Sequence, residues 1–253
     1  MSLDYATYLR LPELLALQSP RSDPQHPDEL HFIVTHQAIE LSFKVLAADL
    51  RRARRLIDAD DLAGATVLIR RARALVDVTA AQLETLAHLP PQSFHQFRHH
   101  LGTASGLESV QFRELEIRSG LRSEGYLARL REVYGGGLPD SLECALAEDS
   151  LADAHRAAGV RRGVTRWADF YADPDRDPLL DLLTTALVDY DDAWRHWRSE
   201  HLALVLRMLG AAALGTAGTN PSYLTHRVYV RFFPYLWEAR SEYPLRVGVN
   251  AGP

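Results

Sequence analysis

Two histidines in this chain occupy positions where apolar side chains would be expected. In "DELHFIVTHQAIELSFK", residues 28–44, Phe32, His36, Ile39 and Phe43 follow one another at four, three and four residues. That spacing places them on one face of an α-helix. Glu29, Glu40 and Lys44 mark the opposite face, with Glu40 and Lys44 in the favourable i,i+4 order. His201 repeats the pattern, since Trp194, Trp197, His201, Leu204 and Met208 form one stripe. An imidazole flanked by aromatics suits an axial ligand to a planar cofactor such as haem iron. The same placement also suits a core histidine satisfied by a neighbouring carbonyl. Two such histidines on two long helices fit an iron ligand with a second, distal imidazole.

Other groups that could do chemistry are weaker. His95 and His99 in "FHQFRHH" stand at i,i+4, a spacing that can hold zinc. They lack the glutamate of an H-E-x-x-H motif and have no nearby cysteine. Cys144 is the single cysteine, so no intramolecular disulfide and no cysteine-based zinc site can form. A small core residue is the expectation for it. "LGTAGTNPS" looks faintly like a phosphate loop, but no strand precedes it and no lysine follows. There is no G-x-S-x-G nucleophile elbow.

The elements that must carry the two histidines are helical. Periodicity predicts a short helix near 11–17 and a proline-rich connector "QSPRSDPQHP". Long helices follow over about 28–57 and 62–89, the second stopped by Pro90 and Pro91. The apolar positions Val67, Leu68, Leu75, Val78 and Leu83 keep the helical period in the second. A short turn makes these two an antiparallel pair. Helices are expected near 91–100, 108–118, 125–133 and 142–158, with loops at "YGGGLPDS" and "YADPDRDP". A last long helix spans about 179–209, and a short one about 228–240. No alternating strand pattern is present. The fold class is therefore all-α, a helical bundle with long antiparallel helices, read as one domain over 1–253.

Composition sets limits. The chain has 253 residues, 47% hydrophobic and 24% charged, with a formal charge of −5. That supports a sizeable core and gives no reason to expect nucleic acid. Lys44 is the only lysine, which reads as genomic bias toward arginine. No basic leader with an apolar stretch and no run of 18 apolar residues occurs, so a cytoplasmic protein without a membrane span is expected.

Five blocks, in order, resemble the tryptophan 2,3-dioxygenase family, all-helical enzymes that use haem. They are "YATYLRLPELLALQSP", "DELHFIVTHQAIELSFK", "FHQFRHHLGTASGLESVQFRELE", "EHLALVLRMLG" with "GTAGT", and "FFPYLWEAR". The third, F-R-x-x-L-G-x-A-S-G-x-x-S-x-Q-F-R, is the most specific. The resemblance implies haem b with His201 as the proximal iron ligand. It implies His36 as the distal histidine, accepting the indole N–H of tryptophan. Phe32 and Phe94 would wall the aromatic pocket, Arg98 would clamp the substrate carboxylate, and Thr216 would help hold its ammonium. Tyr5 and Tyr8 match tyrosines that reach a neighbouring subunit, so segment 1–27 is expected to serve a partner's site. A homo-oligomer, tetramer or dimer, is implied, with an aromatic amino acid and O2 as substrates.

The chain departs from the family pattern in three places. Ser42 replaces a tryptophan in E-L-W-F-K. "GTAGTNPSY" replaces a loop of glycine and serine, and Pro221 with Asn220 should alter how it closes. "DDAWRHWRSEH" lacks the usual W-R-x-R-H. Three readings are therefore kept. The lead is dioxygenation of L-tryptophan to N-formylkynurenine. A second is a haem monooxygenase or peroxygenase, using O2 or H2O2, that hydroxylates tyrosine or a substituted tryptophan. The third is a non-catalytic haem sensor.

Overall fold

The computed structural model describes residues 4–102, 108–173, 175–210 and 221–246. Three long helices set the frame: α3 (Glu29–Asp58), α4 (Leu62–Leu86) and α11 (Pro178–Leu209). Both α3 and α11 pack extensively on α4. The buried stripe of α4 explains why they can. Ala65, Leu68, Ile69, Ala72, Val76 and Ala80 are all buried, and the three alanines let neighbouring helices approach closely. The turn between α3 and α4 is short, with Asp60 in the left-handed region at φ 65°. Asp61 then caps α4 by accepting from the Gly64 N–H at 2.8 Å. Pro178 opens α11, and Asp177 accepts from the N–H groups of Leu179 and Leu180, both at 2.9 Å.

Shorter helices wrap this frame. They are α1 (Tyr5–Leu9), α2 (Leu11–Leu14), α5 (Pro91–Phe97) with a 3-10 turn Arg98–Leu101, α6 (Val110–Ser119) and α7 (Glu124–Val133). Then come α8 (Asp140–Ala147), α9 (Leu151–Arg161), α10 (Trp167–Ala172), α12 (Pro221–Val228) and α13 (Pro234–Arg246). Among the described residues there is no strand, so the all-α expectation holds. None of the described helices is long and apolar enough to cross a membrane. One hydrophobic cluster runs from Ile39 to Leu236 and joins α3, α4, α6, α9, α11 and α13. Buried Asp191 of α11 ties the chain after α12 to this core. It accepts from the Phe232 N–H and from Trp237 Nε1, both at 2.9 Å.

The structure corrects several expectations. The helix expected over 142–158 is two, because Ser150 and Asp153 form a capping box that starts a new helix at Leu151. The helix expected over 228–240 likewise divides into α12 and α13, and the "YADPDRDP" region begins inside α10. The helix expected near 11–17 is α2, which ends at Leu14, and α1 precedes it across Arg10, whose φ is 52°. Val67 and Val78 lie on the outer side of α4 and are 65% and 51% exposed. Cys144 is exposed rather than core, since α8 turns Leu142 and Ala145 inward instead. Glu29 is fully buried, accepting from the backbone N–H groups of Arg21 (2.7 Å) and Ser22 (2.9 Å). Glu40 bonds across to α6 and has no ion pair with Lys44.

A second buried histidine pattern shows what a purely structural imidazole looks like here. Thr184 Oγ1 donates to the Leu180 carbonyl at 2.7 Å, so it can only accept from His155 Nε2 at 2.9 Å. His155 Nδ1 then accepts from the Tyr235 hydroxyl at 2.7 Å. Both ring nitrogens are satisfied. Burial, helped by the charge of Arg156, pushes the imidazole down to about 3. An unfolded histidine titrates near 6.5. The unfolded chain therefore binds the extra proton first, and stability falls as pH drops from about 6.5 toward 3. His155→Phe is expected to lower stability at pH 7 yet flatten this acid-side decline, as followed by urea unfolding at a series of pH values.

Candidate active site

The first wall of the site is built on α3. One turn apart, the rings of Phe32 and His36 have centroids 4.2 Å from each other. His36 Nδ1 lies 2.7 Å from the Phe32 carbonyl oxygen. A carbonyl only accepts, so Nδ1 carries the hydrogen and Nε2 keeps its lone pair. Burial pushes the His36 imidazole down, opposed by that carbonyl bond and by the Glu40 carboxylate. A neutral ring with a free Nε2 lone pair is a hydrogen-bond acceptor. Neighbouring protein atoms crowd His36, yet the residue remains exposed to solvent.

Helix α5 supplies the second wall. Phe32, Phe94 and Phe97 form a triangle with centroids 5.5–5.7 Å apart. Phe97 is fully buried and fixes the triangle, while Phe32 and Phe94 are half-buried. Leu89, Leu204 and Met208 pack into the same cluster, so the end of α11 closes it. Arg98 follows directly and its guanidinium carbon lies 5.9 Å from the Phe94 ring centroid. A half-buried guanidinium beside an aromatic slot is suited to grip a carboxylate bidentately.

Helix α11 brings His201 to this region. Its ring stacks on Trp197, with centroids 5.4 Å apart and planes at 26°. Burial is the main reason its imidazole is held down to about 4, with the charges of His36 and Arg113 adding to the effect. Leu204, one turn further along α11, packs into the Phe32, Phe94 and Phe97 cluster, so this stretch of the helix borders the first two walls. No hydrogen bond among the described residues engages either ring nitrogen of His201. This contrasts with His155, whose two nitrogens are both occupied. A neutral, half-buried imidazole stacked on Trp197, its nitrogens unengaged among the described residues, has the donor chemistry of an iron ligand.

So α3, α5 and α11 bring together Phe32, His36, Phe94, Arg98 and His201. Thr216 lies outside the described residues. Tyr5 and Tyr8 on α1 are 74% and 69% exposed and take no part in this chain's own cluster. His95 and His99 do not share an α-helix, because α5 ends at Phe97; the His99 ring instead lies tilted by 40° against His100, with centroids 3.9 Å apart. Sequence reasoning passed over Phe97 and Glu116, and gave Glu40 to a pair with Lys44. Glu40, one turn beyond His36, accepts from Ser109 Oγ at 2.6 Å and Gln111 Nε2 at 2.8 Å. The S-x-Q spacing at the start of α6 was the available signal. Ser42 back-bonds to the Ala38 carbonyl at 2.9 Å.

Comparison with known proteins gives the same grouping. The tryptophan 2,3-dioxygenase family model matches residues 1–166 and 157–243. Tryptophan 2,3-dioxygenase of Nocardioides sp. is 36% identical over 260 residues, covering 95% of this chain and 94% of that protein. The Pseudomonas fluorescens enzyme of that name is 35% identical, covering 95% and 91%. The one from Caulobacter vibrioides is also 35% identical, covering 95% and 98%. With both the family match and these relatives extending over nearly its whole length, the chain belongs to the tryptophan 2,3-dioxygenase family.

Proposed function

We propose that this chain is a haem-dependent enzyme that converts L-tryptophan and O2 to N-formylkynurenine, acting as one haem-binding domain. One observation carries the site reading. His201 of α11 stacks on Trp197 with neither ring nitrogen engaged among the described residues, and His36 of α3 has Nδ1 tied to the Phe32 carbonyl, which leaves Nε2 as an acceptor. The first suits an axial iron ligand and the second suits a distal acceptor. Ferrous haem b, when bound, supplies the binding and activation of dioxygen. Everything else falls to the protein. His201 would hold the iron. Phe32 and Phe94 would sandwich the indole and exclude water. His36 Nε2 would accept the indole N–H, which fixes the ring's orientation. Arg98 would grip the carboxylate and Thr216 would help hold the ammonium. Both oxygen atoms end in the product, so no proton acceptor stronger than a neutral imidazole is required of the protein.

The relatives named above carry the tryptophan name. Ser42 bonds only within its own helix, and the loop before Pro221, with Asn220, lies outside the described residues. Arg98 beside an aromatic slot is superfluous in a gas sensor. Labelled dioxygen decides between these. The expected result with reduced, haem-loaded protein is both labelled atoms in N-formylkynurenine and no turnover of tyrosine. A single labelled atom would overturn the lead. In the same preparation His201→Ala is expected to lose stoichiometric haem and its absorption band.

Arg98→Ala gives an independent check. Leaving a carboxylate without its clamp typically costs roughly 2–5 kcal/mol. The KM for tryptophan is expected to rise steeply, while turnover of tryptamine, which lacks the carboxylate, changes little. Equal losses on both would make Arg98 a structural residue.

We also infer a cytoplasmic homotetramer in which segment 1–27 serves a neighbouring subunit. Leu30, Val34, Leu41 and Val45 are 45–52% exposed and fall on one face of α3, opposite Phe32 and His36. Such an apolar stripe is suited to burial against another copy. Val45→Glu is expected to reduce the mass measured by light scattering; an unchanged tetramer would remove this face from the interface.

A further inference from the structure

Away from the cleft, one spot concentrates buried charge. Glu116 of α6 is fully buried. Its Oε2 accepts from Arg113 Nη1 at 2.6 Å and from the Tyr126 hydroxyl at 2.8 Å. Its Oε1 accepts from Arg198 Nη2 at 3.4 Å and from Arg227 Nη2. The donors come from α6, α7, α11 and α12. Burial alone would push the Glu116 carboxyl up; Arg113, Arg227 and Arg198 outweigh it, with the Tyr126 bond, and hold it down to about 2. Among the described residues, three guanidinium groups thus meet on one carboxylate. Apolar side chains could join four helices at lower cost than such a buried ionic cluster.

The location of the cluster supplies a reason for it. Arg198 stands three residues before His201 on α11, and its Nη1 also donates to the Val230 carbonyl at 2.9 Å. Phe112, next to Arg113, stacks on Trp197 with centroids 5.2 Å apart and planes at 29°. Trp197 in turn stacks on His201. An unbroken run of contacts therefore leads from Glu116 through Arg113 and Phe112 to Trp197 and His201, and a parallel one leads through Arg198.

We propose that Glu116 is a positioning residue for the proximal side of the haem site, clamping α6 and α12 to α11 so that Trp197 and His201 hold their places, and offsetting the arginine charge that faces the iron ligand. This rests on His201 being that ligand. Without the carboxylate, the three arginines repel one another and the Phe112–Trp197–His201 stack loses its support. The field at the iron also becomes more positive. Uncompensated positive charge favours the less positive ferrous iron, so the reduction potential rises. Mere loosening would do the opposite, because entering water favours the more highly charged ferric state.

The test uses the full-length, haem-loaded protein. His201→Ala is run first; retention of haem with an unchanged spectrum would defeat the ligand reading itself. Glu116→Gln keeps the side-chain shape and removes its charge. It is expected to bind haem, to raise the reduction potential, to shift the iron–imidazole vibration, and to lower kcat more than it raises KM. Tyr235→Phe serves as the control, since it removes a buried hydrogen bond to His155, whose other nitrogen bonds Thr184 of α11, about 26 Å along the helix from His201. It should lower the melting temperature without moving either haem signature. Wild-type potential and vibration in Glu116→Gln, a lowered potential, or equal shifts in Tyr235→Phe would overturn the proposal. Should Glu116→Gln fail to fold, Arg227→Lys keeps the charge and loosens the clamp. A shifted vibration there supports the proposal, and an unchanged one overturns it.

Discussion

The packing of α3 and α11 on the alanine-rich stripe of α4 is the constraint on which the remaining structure depends. Each outer helix carries one of the two imidazoles, and neither imidazole has a place without its helix. Ala65, Ala72 and Ala80 bring the axes close, and the larger Leu68, Ile69 and Val76 fill the space between them. An enlarged side chain at any of the alanines would wedge the frame apart. The two histidine-bearing helices would then shift from a place remote from every residue proposed to touch substrate.

Polar anchors give the frame its precision. Asp191 and Arg198 lie two turns apart on α11, and both reach across to the chain after α12. Glu40 does the same from α3 to the start of α6. In each case a buried or half-buried side chain satisfies backbone or side-chain groups that would otherwise be desolvated without a partner. Apolar contact sets how close the helices lie, and these bonds set their rotation and register.

Much of this was legible in the sequence, and for identifiable reasons. The period of Phe32, His36, Ile39 and Phe43 faithfully reports the inner face of α3, because Ile39 and Phe43 are buried in the core and Phe32 and His36 continue the same stripe. Arg98 and Phe94 were legible through a motif, where spacing alone would have given little. Val67 and Val78 misled because an apolar side chain on a helix's outer face costs little, so the pattern does not forbid it. The break between α8 and α9 was hidden because a serine cap, with no glycine or proline, makes it. Glu116 was hidden more deeply. An Arg113–Glu116 pair at i,i+3 has the spacing of any exposed helical ion pair, and the other two arginines lie 82 and 111 residues beyond Glu116. Only the tertiary fold reveals that the pair is interior.

Helix α3 runs for 30 residues without a break, and its two long faces address different things. Phe32 and His36 look into the cleft, while Leu30, Val34, Leu41 and Val45 look outward. Each residue advances a helix by about 100°. An insertion or deletion between His36 and Leu41 would therefore swing the outward stripe a quarter-turn or more against the inward one. Point substitutions can drift on either face, but chain length within this helix cannot. The gene is free to lengthen at its loops, whereas along α3 the reading of substrate and the presentation of the outer surface are inherited as a single indivisible unit.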